Sequence, residues 1–183
     1  MKYISTKIPD VFIMEPKVLG DDRGYFFESF RQNEFESKVC KTTFVQENES
    51  KSSYGVLRGL HYQKAPYAQA KLVRVLKGKV LDVAVDIRKH SKTFGQHVAV
   101  ELSEDNKRQF FIPQGFAHGF VTLSEEAIFS YKCDNYFNKE SEASIAFNDA
   151  DLNINWQILE SDMRLSEKDK NATAFKNAQL FDL

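Results

Sequence analysis

Cysteine is nearly absent from this chain: Cys40 and Cys133 are the only two in 183 residues, and they form no C-x-x-C pair. That spacing argues against a disulfide framework and against a cysteine-based zinc site. An excess of one charge sign is missing too. Lys and Arg total 25 against 26 for Asp and Glu, so no basic field marks a nucleic-acid partner. No uninterrupted apolar run approaches the roughly 20 residues of a membrane-spanning helix. Residues Met1 to Asp10 lack the apolar stretch of a signal peptide. Internal repeats, low-complexity tracts and linkers are also missing. These absences lead to the expectation of a single domain over 1–183, cytoplasmic, with no nucleic-acid or membrane partner. The length suffices to bury a substantial core.

Aromatic residues, by contrast, are plentiful. Sixteen Phe and 7 Tyr exceed what a small core needs, which leaves some for stacking on a ligand or sealing a subunit interface. Strand patterns dominate. Val11–Met14 and Tyr25–Phe30 flank a turn at Gly20–Gly24, and a helix is predicted over 31–39, with Asn33 as cap and Phe35 facing inward. The strongest signal runs through Lys71–Leu76, a hairpin turn at Lys77-Gly78-Lys79, and Val80–Ile87. There Asp82, Ala84 and Asp86 alternate with Leu81, Val83, Val85 and Ile87, the period of a half-buried strand. Further strands are expected at Gly95–Val100, Arg108–Ile112, Gly119–Leu123, Ala127–Lys132 and Ser144–Phe147. Short strands at this spacing indicate an all-β sandwich or barrel rather than a βαβ fold. From about Ser161 the tail reads as loop plus a short helix.

Arg58 and His61 stand three positions apart in Arg58-Gly59-Leu60-His61, between stretches that read as strands. A guanidinium is a fixed charged fork suited to phosphate, and an imidazole is the side chain most easily poised as a base near neutral pH. A lone histidine is more often structural. With Lys71 ten residues on, however, three polar groups on a strand-rich scaffold describe a binding cleft better than a packed core. His118 follows Pro113 and Gly115 in a turn that aims its side chain. Tyr131 alternates along a strand, where core packing is the ordinary role and donation of a proton the sharper one. Asp169 reads as a solvated charge or as a carboxylate orienting His61. Arg23 and Glu28 read as surface residues on local pattern alone.

Taken in order, Gly20–Glu28, Phe44–Asn48, Val56–Gln63, Gln69–Arg74, Asp82–Arg88, Asn106–Gln109, Ile112–Phe120, Tyr131–Lys132, Phe147–Asp149 and Leu165–Asp169 resemble the nucleotide-sugar epimerases of the cupin superfamily, specifically the dTDP-4-dehydrorhamnose 3,5-epimerase family. The likeness spans about 2–170 with spacing intact. It implies a cupin-type jelly-roll barrel with a few short peripheral helices, and a homodimer that exchanges amino-terminal strands. Neither metal nor cofactor is implied. The implied reaction is epimerisation of dTDP-4-dehydro-6-deoxy-D-glucose at C3 and C5 to dTDP-4-dehydro-L-rhamnose. His61 would be the base, Asp169 its dyad partner, Tyr131 the acid on the opposite face, and Lys71 the group stabilising the enolate oxygen at C4. Arg23, Phe26, Glu28, Gln46, Asn48, Arg58, His118, Phe137, Glu142 and Lys168 fall where family members contact the nucleotide sugar.

The residue types suit that chemistry. A C4 ketone acidifies the hydrogens at C3 and C5, so the substrate carries its own electron sink. Inversion needs a base on one face and an acid on the other. Three alternatives stay open at this point. Phe137 stands where many relatives carry a second tyrosine, which keeps the ring without its hydroxyl, and enzymes inverting only C3 or C5 share the constellation. A noncatalytic sugar-nucleotide-binding cupin is a second alternative. A metal-dependent cupin is the third: metal-binding members present His-x-His plus Glu, whereas here Gln63 follows His61 and no glutamate appears before Glu101, with His90 and His97 in surface-like turns.

Overall fold

The computed structural model describes residues 1–182. The chain runs β1 (Lys2–Ser5), β2 (Phe12–Glu15), β3 (Leu19–Asp21), β4 (Gly24–Phe26), α1 (Gln32–Lys38), β5 (Gln46–Ser53), β6 (Leu57–Gln63), β7 (Lys71–Lys77), β8 (Lys79–Asp86), β9 (His97–Ser103), β10 (Gln109–Ile112), β11 (Phe116–Thr122), β12 (Glu126–Cys133), β13 (Glu142–Ser144) and α2 (Glu167–Lys170). Single 3-10 turns lie at Lys139–Ser141, Glu160–Asp162 and Phe175–Asn177. A six-stranded sheet, β1-β2-β10-β7-β12-β5, faces a five-stranded sheet, β13-β6-β11-β8-β9, in a cupin jelly roll, while β3 and β4 form a separate hairpin.

Three apolar layers hold this arrangement. Between the sheets, Val73, Val75, Phe110 and Phe129 meet Val80, Ala84, Phe116 and Phe120. On the outer face of the five-stranded sheet, Leu81, Val83, Val85 and Ile87 are covered by Ile145, Phe147, Trp156, Phe175 and Phe181. The tail beyond β13 is therefore a structural layer, pinned by the Trp156 Nε1–H, which donates to the Phe147 carbonyl at 2.9 Å. On the outer face of the six-stranded sheet, α1 lays Phe35 edge-on against Phe111 at 5.1 Å, beside Phe30 and Phe44. A seven-residue helix is marginal alone. Full burial of one such ring contributes roughly 1.5–3 kcal/mol, so docking keeps it formed.

Several expectations need correction. Lys77-Gly78-Lys79 is not a hairpin: β7 pairs with β10 and β12, β8 with β9 and β11, so Gly78 carries the chain from one sheet to the other. Alternation marks a strand but not its neighbour. Strand β8 is not half-buried either, because both its faces are covered and Asp82 and Asp86 point inward. Asp86 is satisfied there by Arg88, Ser91 and Thr93. Arg31, not Asn33, stands at the start of α1, and no side chain caps it. The strand expected to run through Phe30 stops at Phe26, the strand placed at Ser144–Phe147 lies at Glu142–Ser144, and His97 belongs to β9. Strand β5 was missed because its sequence is polar throughout. Its inward residues line a cleft rather than a core.

Candidate active site

Arg58 and His61 share a face of β6 only because the strand is bulged. A period of two would send residues three apart to opposite faces. In the register with β11, His61 opposes His118 and Arg58 opposes Phe120, with a shift between, so one extra residue of β6 is absorbed there. Gly59 takes φ +139° at that point, and a Cβ on it would stand 2.5 Å from the Gly119 Cα. Two glycines facing each other across the ladder thus aim both side chains inward.

The opposite sheet contributes Lys71 and Tyr131. Lys71 pairs with Cys133 and Tyr131 with Val73, which puts both on the inner face of adjacent strands. The Lys71 Nζ lies 5.8 Å from the Tyr131 ring centroid. Asn48 and Gln46 of β5 stand in register with Tyr131 and Cys133. The resulting cleft has two lobes. One, of about 240 Å³, is lined by Gln46, Asn48, His61, Gln63, Lys71, Tyr131, Phe137 and Glu142. The other, of about 180 Å³, is lined by Arg58, His61, Lys71, His118, Phe120, Phe129 and Tyr131. His61, Lys71 and Tyr131 stand at the junction of the two. A larger hollow of about 400 Å³ under the β3–β4 hairpin is lined by that hairpin alone and contains neither histidine nor lysine.

Asp169 reaches His61 from the far end of the chain. Its Oδ1 lies 2.5 Å from His61 Nε2, and its Oδ2 accepts from the Ser166 hydroxyl at 2.6 Å. Ser166 also caps α2 by accepting from the Asp169 amide. Burial pushes the Asp169 carboxyl up, but the bonds from His61 and Ser166 outweigh it and hold it below the ordinary value. A second pair lies deeper. The ring Nε2 of His118, 7 % exposed, faces both oxygens of fully buried Asp82 at 2.9 and 3.0 Å. Burial lowers the His118 pKa against the pull of Asp82.

Burial also lowers the Lys71 pKa, which Cys133, Asp82 and Glu142 only partly offset, and it raises that of Tyr131. The phenol keeps its proton at neutral pH and is suited to donate it. Cys133, beneath Lys71, is pushed up to about 11 by burial and remains a neutral thiol. Arg58 is held by Ser52, to which its Nε donates at 3.1 Å. Glu142 and Lys168 form an ion pair at the wider lobe. Among the described residues, no group of three or more His, Cys, Asp or Glu side chains converges as metal ligands would.

The structure thus brings together His61, Asp169, Lys71, Tyr131, Gln46, Asn48, Arg58, His118, Phe137, Glu142 and Lys168. It does not bring in Arg23, Phe26 and Glu28. Arg23 pairs with Asp21 at 2.6 Å, Glu28 with Arg31 at 2.7 Å, and Phe26 is 70 % exposed on the hairpin. Sequence reasoning missed Asp82. A charged residue between the apolar residues of β8 was the available signal, and reading it as a solvent face concealed it.

Comparison with known proteins follows the same lines. The sequence matches the family model of dTDP-4-dehydrorhamnose 3,5-epimerase over residues 5–177. A dTDP-4-dehydrorhamnose 3,5-epimerase of Shigella flexneri is 56% identical over 182 residues, 99% of each chain. Among solved structures, the dTDP-4-dehydrorhamnose 3,5-epimerase of Elizabethkingia anophelis superposes with a TM-score of 0.93 at 60% identity, covering 96% of this chain and 97% of that one. The dTDP-6-deoxy-D-glucose-3,5-epimerase of Legionella pneumophila, in complex with dTDP-4-keto-L-rhamnose, has a TM-score of 0.93 at 51% identity, covering 96% and 93%.

Proposed function

This chain belongs to the dTDP-4-dehydrorhamnose 3,5-epimerase family, and from that premise we propose that it epimerises dTDP-4-dehydro-6-deoxy-D-glucose at C3 and C5 to dTDP-4-dehydro-L-rhamnose, a step in L-rhamnose biosynthesis. The observation that carries the reading is one cleft holding a carboxylate-backed imidazole together with a half-buried phenol and a half-buried ammonium.

In the tautomer that donates Nε2–H to Asp169, His61 keeps a lone pair on Nδ1 and acts as base. It takes the proton at C5 and, in a second cycle, at C3. The electron pair left on carbon moves to the C4 oxygen as an enolate, and the Lys71 ammonium hydrogen-bonds that oxygen where charge develops. Tyr131 then returns a proton to the opposite face of the same carbon, which inverts it. Solvent exchange restores the phenol and discharges the imidazolium. No redox partner enters the balance, so no cofactor is assigned.

The remaining polar groups are placed on the nucleotide sugar. Arg58 and Lys168 suit the diphosphate, since cationic donors form charge-assisted bonds to it. His118, Glu142, Gln46 and Asn48 suit hydroxyl and carbonyl groups, and Phe137 offers a ring to the base. Arg23 and Phe26 of the hairpin and Glu28 just beyond it, which do not line their own cleft, are assigned to the cleft of a second copy in a homodimer. Exposed Val18, Leu19, Tyr25 and Phe26 on that hairpin supply apolar surface for such a contact. The described residues include no helix long and apolar enough to cross a membrane, and we place the enzyme in the cytoplasm.

Incubation with dTDP-4-dehydro-6-deoxy-D-glucose in D₂O, followed by NMR, tests the reaction. Solvent deuterium at both C3 and C5 with inverted configuration is expected. Label at a single carbon would make the protein a mono-epimerase, and no label would leave only a binding protein.

A further inference from the structure

Two glutamines reach from opposite sheets to consecutive amides of one loop. Gln46 of β5 accepts from the Phe137 N–H at 3.0 Å, and Gln63 of β6 accepts from the Asn138 N–H at 2.8 Å. The loop carries Phe137, whose side chain lines the wider lobe yet is 52 % exposed. A ring that exposed gains little from packing, so its position over the cleft depends on its backbone. Gln63 itself is 5 % exposed, and a buried acceptor left without a donor costs about 1–3 kcal/mol. Downstream, Asn138 accepts from the amides of Glu140 and Ser141, forming the turn that delivers Glu142, the register partner of Gln63. One side chain therefore links the strand bearing His61 to both Phe137 and Glu142.

We propose that Gln63 is a positioning residue for nucleotide recognition, acting through the Asn138 amide to hold Phe137 over the base end of the cleft. This rests on the reading of the cleft as a nucleotide-sugar site. Gln63 has no titratable proton for the reaction to move and its carbonyl is committed to the Asn138 amide, so its effect falls on affinity and leaves proton transfer intact.

Calorimetric titration with dTDP, alongside steady-state kinetics, tests it. Gln63→Met keeps the chain length and removes the acceptor. Loss of one hydrogen bond is expected to raise the dTDP Kd and the substrate KM about five-fold, with kcat unchanged. Gln63→Glu, which keeps an acceptor, is expected to bind more tightly than Gln63→Met. Phe137→Ala is expected to weaken binding less in the Gln63→Met background than in the wild type, because the same contact is already impaired. A wild-type Kd for Gln63→Met, or losses that simply add, would overturn the proposal. Amide hydrogen exchange on the unmodified protein needs no variant: slow exchange at Asn138 is expected, and exchange at the rate of an open loop contradicts it. A wild type that neither binds dTDP nor turns over the sugar removes the reading of the site, and this inference with it. A wild type that does both while Gln63→Met matches it overturns the inference alone.

Discussion

His61 and Asp169, 108 residues apart in the chain, meet at 2.5 Å. One comes from β6, next to the edge of the five-stranded sheet, the other from a single turn of helix in the tail that covers that sheet's outer face. The Ser166 hydroxyl holds the carboxylate's other oxygen. An imidazole so fixed has one ring nitrogen committed and one free, as a base requires.

Replacing His61 by Asn is expected to lower kcat by about 10²–10⁴-fold while dTDP binding persists. Asp169→Asn should give a smaller loss and also change the acid stability. The folded carboxyl lies below its ordinary value, so its contribution is present above that value and lost as pH falls through the folded one. Wild-type melting temperatures should therefore fall more steeply below about pH 4 than those of Asp169→Asn. Equal slopes would show that the carboxylate does not contribute.

Tyr131→Phe separates proton removal from inversion. His61 can still take a proton and return it to the same face, so solvent deuterium should enter the recovered substrate. Net inversion should slow by about 10²–10⁴-fold. NMR distinguishes the two, and unimpaired inversion would remove Tyr131 from the acid role.

Lys71→Met should reduce kcat by about 10²–10³-fold, the range for removing one donor from a developing oxyanion. Because burial lowers the lysine's pKa, the alkaline limb of the wild-type rate profile should begin below the pH of an ordinary lysine. A limb that is unchanged in Lys71→Met would belong to another group.

Mixing two inactive variants tests the exchanged hairpin. Arg23→Ala and His61→Asn are each expected to be poorly active alone. If Arg23 serves the partner's cleft, each mixed dimer regains one intact site, and random reassortment restores about a quarter of wild-type activity. A mixture that stays inactive after verified subunit exchange places Arg23 in its own chain's cleft.

Gly59→Ala should destabilise the protein by about 2 kcal/mol or more, measured by urea unfolding, since the new Cβ meets the Gly119 backbone at a φ that disfavours side chains. Activity should fall with it, because the bulge sets the spacing of Arg58 and His61.

Much of this site was legible in the linear sequence, and the parts that were not have physical causes. The strands around Lys71 and Tyr131 show themselves in the sequence, which placed both residues on strands. Strand β5 does not, because a strand lining a polar cleft carries Gln46, Asn48 and Ser50 where a core strand would carry valine. Asp82 and Asp86 gave the alternation of a solvent face, yet they are buried, one paired with His118 and the other with Arg88, Ser91 and Thr93. Alternation reports that two faces differ in polarity. It does not report which face meets water.

By itself the sequence determined the class of chemistry: an all-β scaffold carrying histidine, lysine, tyrosine and arginine at the spacings of a nucleotide-sugar epimerase. Those are local properties, written in residue type and in motifs that keep their order along the chain. Only the tertiary structure decided that Asp82 is buried behind His118, that β7 and β8 lie in different sheets, and that Arg23, Phe26 and Glu28 stand away from their own cleft. Each of these depends on which distant segments pair, and pairing is decided by the joint burial of all the layers, a sum that no local stretch of sequence contains.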